Sequence, residues 1–131
     1  MLLGCRRSGP VLTVHLADYG ESPGRIRINM PQGEAPLYAE PTPVLDERDF
    51  TSVSFGRDRL GLPTLSLCFA PEGRDEYTRV VARNVKRRLV FLVRGKLLFA
   101  PQIASADVPA CATIQGDVSA EDAAALRAAI R

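Results

Sequence analysis

The chain has 131 residues, 46% of them hydrophobic, with ten prolines, ten glycines, no tryptophan and a formal net charge of +2. This length and apolar content specify one domain with a sizeable core and exclude two domains of ordinary size. The small, mixed charge gives no call for nucleic acid or an anionic membrane as partner, there is no solenoid repeat, and no run approaches the roughly 18 apolar residues of a membrane-spanning helix.

The first five residues, Met1-Leu2-Leu3-Gly4-Cys5, resemble the end of a bacterial lipoprotein signal, in which a Leu and a small residue precede a lipidated Cys. Cys5 is therefore the expected lipidation site and residues 1–10 a signal remnant or tether, with a chance hydrophobic N-terminus as the alternative. Val11 to Leu16 alternates as a strand, and Arg25 to Asn29 forms a second one after Gly20, Pro23 and Gly24, so a hairpin on a sheet edge is expected. Five prolines and glycines between Met30 and Pro43 leave an extended connector whose only regular piece is Leu37-Tyr38-Ala39. Residues 11–44 thus read as N-terminal strands and connector, and 45–131 as the main domain.

Asp46 caps an expected helical turn at Glu47-Arg48-Asp49, and Phe50, Val53 and Phe55 lead into a strand that turns back over Arg57 to Leu62. Thr64 to Phe69 places Leu65, Leu67 and Phe69 on one face, the period-two pattern of a half-buried strand. At Pro71 the period becomes helical, with Tyr77, Val80, Val81 and Val85 on one stripe, acids Glu72, Asp75 and Glu76 early and bases Arg83, Lys86 and Arg87 late. This predicts a helix over 72–87 packed on a sheet that contains both 64–69 and 88–100. Leu89 to Val93 is apolar on both faces, as in an interior strand, and Arg94-Gly95 is a two-residue hairpin turn into a returning strand at Lys96 to Ala100. Cys111 to Gln115 alternates as a last strand, Gly116 marks a sharp departure, and Ser119 caps a final helix whose inner face is Ala123, Leu126 and Ile130. The fold class is α+β, an antiparallel sheet with two helices packed on one face.

Seven short pieces in order carry a family likeness: Gly61-x-Pro63, Ala70-Pro71-Glu72-Gly73, Asn84, Val93-x-Gly95, Ala100-Pro101-x-Ile103, Ile114-x-Gly116 and Ser119-x-Glu121-x-Ala123. From about Leu45 to Ile130 the chain resembles the head subdomain of the first periplasmic domain of SecD, the membrane subunit that assists Sec-dependent protein export. The resemblance implies a periplasmic or otherwise extracytoplasmic module, membrane-associated in its relatives, that binds polypeptide or an envelope protein. One departure is Arg94, where the family commonly has an acidic residue before the turn glycine.

The residues themselves supply no reaction centre. His15 is the sole histidine and reads as a satisfied strand residue, and Cys5, Cys68 and Cys111 lack metal-ligand spacing, so neither a metal nor a cofactor is expected. Cys68 and Cys111 both fall in expected strands; we read them as buried free thiols, with a disulfide as the alternative in an exported protein. The candidate partner-binding surface joins the basic helix end, Arg83, Lys86 and Arg87, to the hairpin tip at Arg94, Gly95 and Lys96. Nucleic acid is not expected there, because the neighbouring strands lack aromatic stacking residues. The competing reading is a small enzyme, for which Asp49, His15 and Arg57 are the available groups, or a SecD-like lipoprotein with a role outside export.

Overall fold

A computed structural model describes residues 9–115 and 118–130. The first strand, β1 (Leu12–Asp18), is buried on both faces from Val14 to Ala17 and lies in the middle of a six-stranded antiparallel sheet. Its neighbours are β3 (Leu37–Ala39) and β4 (Leu45–Asp46) on one side and β7 (Arg88–Val93) on the other, in register from Leu12↔Val93 to Ala17↔Arg88. The sheet is closed off at its ends by β2 (Ile26–Ile28), which pairs with β3, and by β8 (Lys96–Phe99), which pairs with β7. The edge hairpin expected from 11–29 is therefore replaced by a central β1 and a β2–β3 pair. The reason is burial: β1 is covered on both faces, Leu12, Val14 and Leu16 on one and His15 and Ala17 on the other, and such a strand belongs between neighbours.

A second sheet holds β5 (Phe50–Arg57), β6 (Pro63–Phe69) and β9 (Cys111–Gln115), again antiparallel. The runs 63–69 and 88–99, expected in one sheet, are thus in two. The position beside β7 is taken by β1, whose Leu12, Val14 and Leu16 add to the core, and β6 keeps β5 and β9 instead. Both sheets contribute to one core, in which Leu12, Val14, Phe91 and Val93 meet Leu65, Leu67 and Ile114. A smaller cluster on the other face of the large sheet packs Ala17, Val90 and Leu92 with Ile28, Leu37 and Ala39.

The helices fill the shared side. In α1 (Pro71–Arg83), Pro71 occupies the first turn, where its missing N–H costs nothing, and Val80 and Val81 enter the core. Tyr77 stacks on Phe69, which stacks on Phe50, with centroids 4.7 and 5.0 Å apart. The helix stops at Arg83, a turn earlier than the periodicity predicts, and Val85 is 39% exposed. Asn84 leaves helical angles, its side-chain amide donates to the Val80 carbonyl, and the Arg87 N–H donates to the Asn84 carbonyl across a turn with Lys86 at φ 80°. In α2 (Ala120–Ala129), Ser119 Oγ accepts from the Asp122 N–H at 3.0 Å, and Ala123, Leu126 and Ile130 are buried as expected. Asp46 likewise caps the 3-10 turn Glu47–Asp49, and Asp49 returns the bond to the Asp46 N–H. Gly116 lies outside the described residues.

Cys68 and Cys111 are register partners on β6 and β9 and are joined by a disulfide, half-buried on the outer face of the small sheet. This corrects the free-thiol reading. Period two placed them opposite the core face, so they could not be interior thiols while Leu67 and Ala112 pointed inward.

Candidate functional site

Five of the six residues expected to form the basic surface fall into two groups. Arg83 and Lys86 sit where α1 enters β7, and Arg94, Gly95 and Lys96 sit where β7 leaves for β8. A six-residue strand separates the groups, roughly 20 Å at the usual rise. The helix end and the hairpin tip therefore stand at opposite ends of β7. Arg87 is engaged inside the fold: Nη2 donates to Asp18 Oδ2 at 2.7 Å and to Glu40 Oε2 at 2.8 Å, and Nη1 donates to Asn84 Oδ1 at 3.0 Å. Arg25 adds a second cation to Asp18 at 3.3 Å. The Arg87 hydrogen bond, aided by Coulomb attraction and opposed by desolvation, holds the Asp18 carboxyl below the ordinary carboxylate range.

The hairpin end has the more suggestive geometry. Arg94 and Gly95 have φ of 52° and 82°, the paired positive values of a type I′ turn. Lys96 then reaches Asp122 at the start of α2, with Nζ and Oδ2 3.2 Å apart. Beyond it a cavity of about 520 Å³ is lined by Lys96, Leu97 and Leu98 of β8, by Asn29, Met30 and Pro31 just after β2, and by Gln115 of β9. The lining takes three consecutive residues of β8 and none of β7, so the slot runs along the edge of β8 away from β7. The slot therefore lies between the two end strands of the large sheet.

That edge is unlike the other three. The β5 edge carries Ser52, Ser54 and Gly56 with a register shift between Phe50 and Ser52, which are devices that discourage further pairing. At β9 the exposed positions are Thr113 and Gln115, and the three-residue β2 presents Arg27 with a single exposed apolar residue, Ile26. What sets β8 apart is its side chains: Leu97, Leu98 and Phe99 are half-buried, there is no proline and Lys96 is its one charge, although it too carries a register shift, against β7 between Phe91 and Leu92. An edge of this kind offers unpaired backbone N–H and C=O groups beside apolar side chains.

The groups available for catalysis are dispersed. His15 is 5% exposed, its Nδ1 donating to the Glu40 carbonyl at 2.7 Å while Nε2 lies 3.0 Å from Thr13 Oγ1. Asp49 is used in its capping box, and Arg57 donates to the Gly61 carbonyl in the β5–β6 turn. Among the described residues no three His, Cys, Asp or Glu side chains converge as a metal site would require, and no helix is long and apolar enough to cross a membrane. Cys5 lies outside the described residues. Of the slot, the sequence signals only Leu97-Leu98-Phe99 after a turn; nothing in it brings Met30 or Gln115 to the same place.

Comparison with known proteins agrees with the order of motifs. The family of the SecDF P1 head subdomain matches residues 25–131. The protein translocase subunit SecDF of Thermus thermophilus is 32% identical over 89 residues, which are 68% of this chain and 12% of that protein. The SecD subunit of Acidaminococcus fermentans is 31% identical over 88 residues, 67% of this chain and 21% of that protein. This chain thus spans a small fraction of both relatives. Among solved structures, a membrane component SecDF that enhances protein export superposes with a TM-score of 0.69 at 22% identity, covering 93% of this chain and 62% of the other. SecDF in its super-membrane-facing form gives 0.68 at 22% identity, over 93% of this chain and 18% of that one. With the family match covering most of its length and the fold shared across nearly all of it, the chain belongs to the SecDF P1 head subdomain family.

Proposed function

We propose that this domain is a non-catalytic, extracytoplasmic module, accessory to protein export, that binds an extended stretch of polypeptide along the outward edge of β8. The observation that carries this reading is the apolar β8 edge, Leu97-Leu98-Phe99, bordered by the 520 Å³ slot. Strand addition uses main-chain hydrogen bonds, which any sequence can supply, and apolar flanks, which select segments that are buried in folded proteins. A module that serves many unfolded chains needs that tolerance. Lys96, which lines the slot beside its partner Asp122, and Arg94 in the adjoining turn would bias the site toward acidic neighbours, while Arg83 and Lys86 form a separate basic surface for another partner. The disulfide supports an oxidising compartment, since such bonds persist outside the cytosol.

Titration of a fluorescein-labelled, valine- and leucine-rich decapeptide, followed by anisotropy and by amide shifts, tests the site. Binding is expected to move the Leu97 and Leu98 amides and to weaken at least about tenfold, ~1.4 kcal/mol, in Met30→Arg or Leu98→Arg. Equal affinity in both variants, with shifts confined to other strands, rules out β8.

A further inference from the structure

The structure assigns the Cys68–Cys111 bond a role beyond stability: it is a thiol-exchange site at which a dithiol unlatches the start of β9 and the segment that leads into it. Three observations carry this. The two sulfurs belong to directly opposed residues on adjacent strands, half-buried on a polar face shared with Ser66 and Thr113, so a reductant reaches them without opening the core. The strand they hold is an edge strand with one neighbour, β6. The residues before it, 104–110, are mostly exposed and are tied down by the half-buried Val108 side chain on the core and by two long-range bonds: Arg74 Nη2 donates to the Val108 carbonyl at 2.9 Å, and the Phe69 N–H donates to the Ala110 carbonyl at 3.1 Å.

The step is ordinary exchange. A thiolate of the dithiol attacks one of the two sulfurs, the protein S–S bond breaks as a mixed disulfide forms, and the departing thiolate takes a proton. The reductant's second thiol then displaces the remaining cysteine. The protein gains two electrons and two protons, and the dithiol leaves as its own disulfide.

What is released has a definite extent. Ile114 is 1% exposed in the main core, so opening stops before it and is confined to about residues 104–112. That segment forms one wall of a cavity of about 180 Å³ whose other wall is Tyr77, Val81 and Leu89. Reduction therefore uncovers apolar surface under α1 while the β1–β7 ladder, in the other sheet, stays closed. The latch is independent of the peptide reading of β8.

Hydrogen exchange read by mass spectrometry tests it, with the oxidised protein, the protein reduced by dithiothreitol without denaturant, and a Cys68→Ser/Cys111→Ser variant. Residues 104–112 are expected to exchange at least about tenfold faster in the latter two, with β1 and β7 within about twofold of the oxidised protein, and oxidised glutathione is expected to restore the first rate. Three results overturn the proposal: a bond that yields only in denaturant, unchanged exchange at 104–112 after reduction, or acceleration shared equally by β1 and β7. The last would make the bond a staple of the whole fold. Because native reduction of the wild type reads the same quantity, a variant that fails to fold does not decide the matter.

Discussion

Arg94 illustrates how much a single backbone angle constrains a side chain. At φ 52°, beside Gly95 at 82°, it occupies the first central position of a type I′ turn, where Asn, Asp and Gly are favoured and a long side chain is strained. Arg94→Asn is expected to stabilise the domain by about 0.5–1 kcal/mol, seen as a higher urea midpoint with unchanged slope. If the midpoint falls, the guanidinium makes a contact worth more than the strain. Lys86 at φ 80° sits in a comparable position in the turn after α1. Of the three non-glycine residues with positive φ among the described residues, Gln32 is remote from β7, while Lys86 and Arg94 are basic and stand at its opposite ends, within the two surfaces proposed for partners.

At the scale of elements, Gly73 determines how α1 meets the rest of the fold. It is buried in the first turn of the helix, and a Cβ there would overlap the carbonyl and Cβ of Asp49 in the capped 3-10 turn. Gly73→Ala is expected to cost at least about 2 kcal/mol in thermal or denaturant unfolding, despite alanine's better helix propensity, because backbone atoms must move apart. A neutral or stabilising result would mean the 3-10 turn shifts freely. The glycine is visible in the sequence as part of Ala70-Pro71-Glu72-Gly73, yet its reason is not, since Asp49 arrives from another element. The same distinction runs through the fold. Local signals located β5, β6, the turn at Arg94-Gly95 and both capping residues, because periodicity and turn chemistry are written in neighbouring residues. Pairing partners were not legible: β1 and β7 are similar apolar runs, and only the packed core reveals that they belong together. The slot at β8 was hidden for the same reason.

For the molecule as a whole, acid should be the sensitive direction. Asp18, Glu40, Arg87 and Arg25 tie β1, the residue after β3, the start of β7 and the approach to β2 into one network. The folded pKa of Asp18 is lowered by Arg87 first, so its contribution is present above the unfolded value of about 3.9 and lost as pH falls through the lower folded value. Asp46, held low by Arg48, adds to the same limb. Unfolding free energy is expected to fall below about pH 4, and Asp18→Asn to flatten that fall while costing about 1 kcal/mol at neutral pH, a modest figure because a network this exposed is screened. An unchanged acid limb in the variant would place the linkage elsewhere. The pairing of β1 with β7 also sets an order in time. Sixty-nine residues separate the two strands, and no other strand of the large sheet offers β1 so long a ladder. While the chain is being made, Leu12, Val14 and Leu16 must wait uncovered until Arg88–Val93 has emerged, so β1 is synthesised well before it can be secured.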